Sequence, residues 1–135
     1  RREQALDALR TFLGDRLGAA PLPDASRAAL RRILARACDG LARVAADGDD
    51  ARVRQAASAL YYASAAVLMA CEGAQLAPDC RRLALAHLLV RHKLLPVDPL
   101  APASRDDEAA AFDTLLRGAP VSLDVALDLL PEVER

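Results

Sequence analysis

Hydrophobic positions along the chain recur every three to four residues, which is the spacing of an α-helix that buries one face. The first such segment spans about residues 2–17 and ends at Gly18. The second begins near Asp24 or Ser26, either of which could cap it, and continues to about residue 46. Both are predicted to be amphipathic helices. Their apolar stripes are Leu6, Leu9, Leu13 and Leu17, with Phe12 beside them, and Leu30, Ile33, Leu34, Ala37, Leu41 and Val44.

Two later segments are apolar on almost every face. The sequence AASALYYASAAVLMAC, residues 56–71, contains no charged residue and lies within a predicted third helix over about 51–75. A predicted fourth helix begins at Pro78 and Asp79 and is mostly apolar up to Arg91. Because a helix that is apolar all round is buried all round, these two are predicted to be the central helices.

The C-terminal part contains two shorter helical signals. Ser104 and Asp107 have the spacing of a capping box, which would open a fifth helix that runs to Leu116 and is closed by Gly118. Ser122 is placed to cap a short last helix. No strand pattern and no repeat occurs. The predicted fold class is therefore all-α, an antiparallel helical bundle of about five to six helices with two central apolar helices.

The composition agrees with a single helical domain over residues 1–135. Hydrophobic residues make up 53% and charged residues 27%, as in soluble globular proteins, while the 3% of aromatic residues favours closely packed helices rich in alanine. The net charge of −1 gives no overall field that would attract nucleic acid or an anionic membrane. The chain starts at Arg1 without an initiator methionine, so we expect it to be a piece of a longer polypeptide.

The cysteines and the longest uncharged run indicate the cellular location of the protein. Cys38, Cys71 and Cys80 are odd in number and have no C-x-x-C spacing, so they are interpreted as small buried hydrophobes of a reduced, cytoplasmic protein. The uncharged run over residues 55–71 is too short and too rich in small and polar residues to be predicted as a membrane span.

Few residues suggest chemistry. Arg91, His92 and Lys93 end the fourth helix, where the unpaired carbonyls stabilise cations by about 0.3–1 kcal/mol each. The main interpretation of these three residues is therefore a helix end, and the alternative is a contact with an anion or nucleotide.

His87 and His92 are five residues apart, which does not suit one metal ion, and His87 is interpreted as a satisfied core or interface histidine. Glu72 follows the apolar third helix; it has the setting of a general base, but more simply it marks where that helix emerges into water.

The second helix carries a set of arginines that could contact phosphates. Acidic residues elsewhere balance them, so the preferred interpretation is a solvated face with many ion pairs. Neither a glycine-rich phosphate loop nor a catalytic constellation is recognisable, so no catalytic or metal-binding residue is predicted and the question of cofactor-binding residues stays open. The arginines are Arg27, Arg31, Arg32, Arg36 and Arg43.

Two long segments resemble a known family. ALYYASAAVLMACEGAQL (59–76) followed by RRLALAHLLVRHKLLPVDPL (81–100) is similar to the C-terminal helical region of bacterial acyl-CoA dehydrogenases. The similarity is to large members with an extra helical domain after the flavin-binding bundle, including the alkylation-response relatives. In that region a helix of small residues precedes one of the type A-x-x-L-x-x-x-x-L-L-P, here Ala86 to Pro96, and the tail over 106–131 resembles the closing helices.

This resemblance implies an accessory C-terminal helical domain of an FAD-dependent acyl-CoA dehydrogenase-like oxidoreductase, which serves packing, oligomerisation or shaping of the acyl channel. The family's catalytic segment reads as an aromatic residue and then Glu-Gly-Thr. Here Cys71 and Ala74 replace the aromatic residue and the threonine, so the catalytic role is not transferred to Glu72. FAD would belong to the parent protein, and the partner would be the rest of the same polypeptide or a second copy of the chain.

Two other functions are compatible with the sequence. One is a free-standing helical dimerisation or interaction module that uses the third and fourth helices as its interface. The other is a ligand-sensing helical bundle, which would need a cavity lined by aromatic rings, and two Phe with two Tyr supply few of them.

Overall fold

Six α-helices make up the computed structural model, which describes residues 2–96, 98–100 and 106–133. The described residues contain no strand, and the helices pack against one another as a bundle, which confirms the predicted all-α class. The helices are α1 (Arg2–Ala19), α2 (Asp24–Asp47), α3 (Asp50–Ala74), α4 (Arg81–Lys93), α5 (Asp106–Leu116) and α6 (Leu123–Asp128).

The turn between α2 and α3 follows the sequence signals closely. Gly48 ends α2 with a φ of 72°, in the left-handed region that glycine adopts without steric cost. Asp49 then caps α3, because its carboxylate accepts the N–H groups of Ala51 at 3.1 Å and of Arg52 at 3.2 Å. A connection of two residues therefore reverses the chain and brings α2 and α3 side by side.

Arg27 closes the connection between α1 and α2. Its Nε donates to the carbonyl oxygen of Leu17 at 2.9 Å and its Nη2 to that of Ala20 at 2.7 Å. The Leu17 carbonyl belongs to the last turn of α1, where carbonyls lack an amide partner within the helix and a cation beside them is favourable. The Ala20 carbonyl follows the helix and also accepts the N–H of Leu22 at 2.8 Å. The side chain thus joins the first turn of α2 to the last turn of α1.

The boundaries around this connection differ from the prediction. α1 continues through Gly18 to Ala19. α2 does begin at Asp24, but its N-cap is Pro23 and no side chain caps it, so the predicted capping by Asp24 or Ser26 is wrong. Ser26 is instead completely buried in the first turn of the helix.

The fourth helix starts later than predicted, at Arg81 rather than at Pro78 or Asp79. The Asp79 carboxylate accepts the N–H of Val121 at 3.0 Å and that of Arg81 at 3.2 Å. These hydrogen bonds, first the one from Val121, hold the pKa of Asp79 below its ordinary value. Because the N–H of Cys80 also donates to the carbonyl oxygen of Val121 at 2.8 Å, the segments before α4 and α6 are paired.

α3 and α4 form the centre of the bundle. α3 packs against α1, α2 and α4, and its Ala63, Ala66 and Val67 are fully buried, while α4 lies between α3 and α6. The prediction that α3 is buried on every face is wrong towards its N-terminus, where Tyr61 is 69% exposed. The neighbouring helices leave that side of α3 exposed to solvent, so the absence of charged residues there does not indicate burial.

The C-terminal helices are shorter and lie over α4. Ser122 caps α6 as predicted, since its Oγ accepts the N–H of Val125 at 3.3 Å. Gly118, with a φ of 70°, follows α5. The predicted capping box of Ser104 and Asp107 lies outside the residues whose side chains the structure describes.

Candidate functional site

A solvent-exposed groove of about 500 Å³ lies between the ends of α1 and α3 and the start of α4. Its floor contains the buried side chains of Ala20 and Cys71, and its rim contains the charged side chains of Arg16, Glu72 and Arg82. The volume falls in the range of small-molecule sites, about 300–1,000 Å³. The full lining is Arg16, Ala19, Ala20, Cys71, Glu72, Gln75, Leu76 and Arg82.

Glu72 lies at the rim, as expected for the point where α3 emerges into water. Its Oε2 is 2.5 Å from Nη1 of Arg82, and about half of each side chain is exposed, 52% and 50%. Exposed ion pairs of this kind contribute roughly 0–1 kcal/mol of stability. The carboxylate is therefore solvated and paired, which is not the desolvated setting of a tuned general base.

Gly73 allows the close contact of α3 with α4 that forms one wall of the groove. A Cβ atom at this position would lie 2.7 Å from the Cβ of Arg82 and 3.0 Å from the backbone N of Leu83. Contacts below about 3 Å between such atoms require one helix to move. The glycine thus sets the distance between the two central helices and the position of Arg82 at the rim.

The side chains that line the groove do not form a recognisable catalytic set. Burial is the main cause that raises the pKa of the Cys71 thiol, which makes it a poor nucleophile at neutral pH. The carboxylate at the rim is paired, and the lining includes no histidine, serine or lysine. It also includes no aromatic ring, so the groove is not the aromatic cavity that a ligand-sensing bundle would need.

The basic side chains at the end of α4 contact other helices of the same chain. α4 ends at Lys93, as the helix-end interpretation predicts. Nη1 of Arg91 lies 3.1 Å from Oε1 of Glu108 on α5, and these side chains are only 7% and 12% exposed. Nε2 of His92 lies 3.3 Å from the other oxygen of Glu108. Nζ of Lys93 lies 5.6 Å from the ring centroid of Tyr62, within the range of a cation–π contact.

Glu108 was not singled out in the sequence. It follows Arg91 by 17 residues, a separation at which no periodic pattern links two side chains. The anion that the basic segment contacts is thus a carboxylate of the chain itself. The contact joins α5 to the end of α4, and this role explains Arg91 without an external ligand.

His87 lies in the core between α4 and α6 and is fully buried. Its Nδ1 is 2.8 Å from the carbonyl oxygen of Ala126, so Nδ1 carries the proton and donates. Its Nε2 is buried and has no hydrogen-bond partner in the part of the chain that the structure describes. Burial lowers the pKa of His87, the hydrogen bond to Ala126 opposes this shift in part, and the charge of Arg91 adds to it. The predicted core position is right, whereas the prediction of a satisfied histidine is wrong for Nε2.

The three cysteines behave as small hydrophobic residues. Cys38, Cys71 and Cys80 are all buried and free, as predicted from the sequence. Burial is the main cause that raises the pKa of each thiol. Each is therefore a neutral thiol at physiological pH, which suits a packing role better than a reactive one.

The arginine face of α2 is the main departure from the sequence interpretation. Arg27 does pair with Asp24 at 3.0 Å. The other four arginines of α2 are exposed and form no ion pair in the described residues, so the predicted face with many ion pairs is wrong. Those four are Arg31, Arg32, Arg36 and Arg43.

Two features are absent from the described ranges. No group of three or more histidine, cysteine, aspartate or glutamate side chains there is arranged to hold a metal ion. Among the described helices, none is both long enough and apolar enough to cross a membrane.

Comparisons of the chain with protein-family models, with curated proteins and with solved structures find no match. The resemblance to acyl-CoA dehydrogenases therefore stays a prediction from the quoted segments.

Proposed function

We propose that the chain is an accessory helical domain that docks on a larger protein. As the resemblance suggests, we propose that this larger protein is an FAD-dependent acyl-CoA dehydrogenase-like enzyme, in the same polypeptide or in a second copy. The domain would contribute packing, oligomerisation or the shaping of the acyl channel. FAD would be held by the catalytic domain, and we assign no residue of this chain to it.

The observation that carries the docking proposal is the outer face of α5, which we define as Phe112 and Leu116. The two side chains are four residues apart, so they lie on the same side of the helix. They are 44% and 86% exposed. Large apolar side chains grouped on a surface are typical of a site that another protein covers.

The inner side of α5 holds this face in position. Ala111 is completely buried, and Leu115 packs against the core. Glu108, one turn before Phe112, forms the nearly buried contact with Arg91. A partner that covers the outer face would meet a helix whose orientation is already fixed, which reduces the entropy lost on binding.

The side chains that the sequence offered as candidates for chemistry make contacts within the chain, which supports an accessory role. Glu72 is paired at the surface, His87 donates to a backbone carbonyl, and Arg91 contacts Glu108. Their contacts lie within the chain and stabilise the bundle. The free, buried cysteines agree with the reduced, cytoplasmic location that we also propose.

The first experiment tests the family part of the proposal. The protein translated from the complete open reading frame is purified beside the 135-residue chain, and the visible absorbance of both is recorded. We expect the bands of oxidised flavin in the long protein and none in the short one. A colourless long protein, or a reading frame that encodes nothing beyond this chain, would remove acyl-CoA dehydrogenase from the proposal and leave an interaction module.

The second experiment tests the docking surface itself. Phe112→Gln with Leu116→Gln should weaken the association of the 135-residue chain with the remainder of the long protein, or with itself, measured by sedimentation. The matched control is Phe12→Gln with Leu76→Gln, which removes two other exposed apolar side chains, each 53% exposed. Self-association lost only in the α5 variant would favour the dimerisation module. Equal behaviour of both variants would exclude α5 as the docking surface.

A further inference from the structure

Three exposed arginines of α2 form a straight row, which we call the arginine row: Arg32, Arg36 and Arg43. They are separated by four and by seven residues. An α-helix turns about 100° per residue, so the three side chains leave α2 within an arc of about 40°. With a rise of about 1.5 Å per residue, the row is about 16 Å long.

The carboxylate that lies within the arginine row is paired with a different helix. Asp39 lies on the same side of α2, three residues after Arg36 and four before Arg43, which are the spacings of helical ion pairs. Its Oδ1, however, lies 2.6 Å from Nη2 of Arg10 on α1. In the described part of the chain none of the three arginines of the row forms an ion pair.

We infer that the arginine row binds an acidic helical segment of a partner protein. A guanidinium group forms two parallel hydrogen bonds with a carboxylate, so each arginine of the row suits one aspartate or glutamate. A helix that lies along α2 presents carboxylates at the same four-residue and seven-residue spacings. This inference is independent of the proposed function, because the row lies on α2 and the proposed docking face lies on α5.

The surroundings of the row favour a short acidic segment over a nucleic acid. Asp47, Asp49 and Asp50 are exposed just beyond Arg43 and would repel a polyanion that continued along the helix. α2 contains no aromatic residue on which a base could stack. The net charge of −1 also gives no general attraction for a phosphate backbone.

Fluorescence anisotropy with a defined probe tests the inference. The probe is a labelled alanine-based helical peptide that carries glutamates at the spacings of the row, and the reference peptide has glutamine at those positions. The row variant is Arg32→Gln, Arg36→Gln and Arg43→Gln in one chain. The matched control is Arg52→Gln, Arg54→Gln and Arg117→Gln, which removes three exposed arginines elsewhere and gives the same net charge.

We expect the row variant to bind the glutamate peptide at least about tenfold more weakly than the unaltered chain, and the control to stay within about twofold. Added salt should weaken binding of the unaltered chain. Equal losses in both variants would mean that only net charge matters and would overturn the inference. So would a glutamine peptide that binds as tightly as the glutamate peptide, or a single-stranded oligonucleotide that binds more tightly than either. Phe112→Gln should leave the peptide affinity unchanged, which separates this test from that of the proposed function.

Discussion

Glu108 shows how one carboxylate determines the role of a basic segment. The sequence RHK at residues 91–93 looked like either a helix end or an anion site. The helix does end there, and the carboxylate that the segment contacts is a side chain of α5 rather than an external ligand. The sequence revealed the cations but not their partner, since Glu108 is distant along the chain and belongs to an ordinary amphipathic segment.

Replacing Glu108 with glutamine should destabilise the domain by about 2 kcal/mol or more. The substitution removes the Glu108 charge from beside Arg91, whose side chain is 7% exposed, and nearly buried charge pairs are costly to disrupt in this way. Asp113→Asn is the control on the same helix, because the Asp113–Arg117 pair is mostly exposed and should change stability by less than about 1 kcal/mol. Urea unfolding followed by circular dichroism measures both. Equal effects would show that the Arg91 contact does not hold α5.

His87 should make the stability depend on pH below neutrality. The folded state holds the pKa of His87 below its ordinary value of 6.5, so the unfolded chain takes up the proton first as the pH falls. Stability is therefore fully present above about pH 6.5 and declines below it, by at most about 1.4 kcal/mol per pH unit. Urea unfolding between pH 7.5 and pH 5.5 would show the slope, because this range lies above the titration of Asp79.

The variant His87→Gln identifies the group responsible. Glutamine offers a neutral donor to the Ala126 carbonyl but does not titrate, so the slope should become shallow although the variant is less stable at neutral pH. An unchanged slope would assign the pH dependence to other groups.

At the scale of the helices, the distance between α3 and α4 depends on Gly73. Gly73→Ala should destabilise the domain by about 1–3 kcal/mol, because the added methyl group meets the backbone of α4. Gly40→Ala in α2 is the control, since nothing lies within 4 Å of the added atom, and it should stabilise the domain by up to about 1 kcal/mol. Thermal unfolding of the two variants should give shifts of opposite sign. A stabilised Gly73→Ala variant would contradict the close contact.

The number and order of the helices could be predicted from the sequence more accurately than the residues at which they begin and end. The six helices and the central pair were predictable because apolar periodicity reports the face that packs. The start of α4 was not, because Asp79 accepts a hydrogen bond from Val121, a residue 42 positions away. The continuation of α1 past Gly18 likewise depends on Arg27, which belongs to the next helix. Contacts between distant segments decided these ends.

The candidate site was less predictable than the fold. Glu72 could be placed at the end of α3, but the groove beside it requires the relative positions of α1, α3 and α4. The sequence also did not show that Arg31, Arg32, Arg36 and Arg43 form no ion pair in the described residues. The pairing of Asp39 with Arg10 instead depends on how α1 packs against α2. A sequence gives the charges on a helix and not the side chains that neutralise them.

For the whole molecule, one continuous core predicts a single unfolding transition that depends on α3. Val67 is completely buried, and Val67→Asp should leave the domain unfolded, because the cost of burying an unpaired charge is comparable with a total stability of about 5–15 kcal/mol. Tyr61→Asp, on the exposed side of the same helix, should leave the domain folded. Far-ultraviolet circular dichroism distinguishes the two results. A folded Val67→Asp variant that has only lost self-association would mean that α3 forms an interface.

The pairing of the segments before α4 and α6 has a consequence for the order in which the chain acquires its structure. α1 to α4 pack mainly on neighbours in sequence, and such local contacts form fastest. The hydrogen bonds from Val121 to Asp79 and from His87 to Ala126 join residues 42 and 39 positions apart. During synthesis the first four helices can therefore pack together before α6 is made. His87 is enclosed only when the segment that contains Ala126 packs against α4.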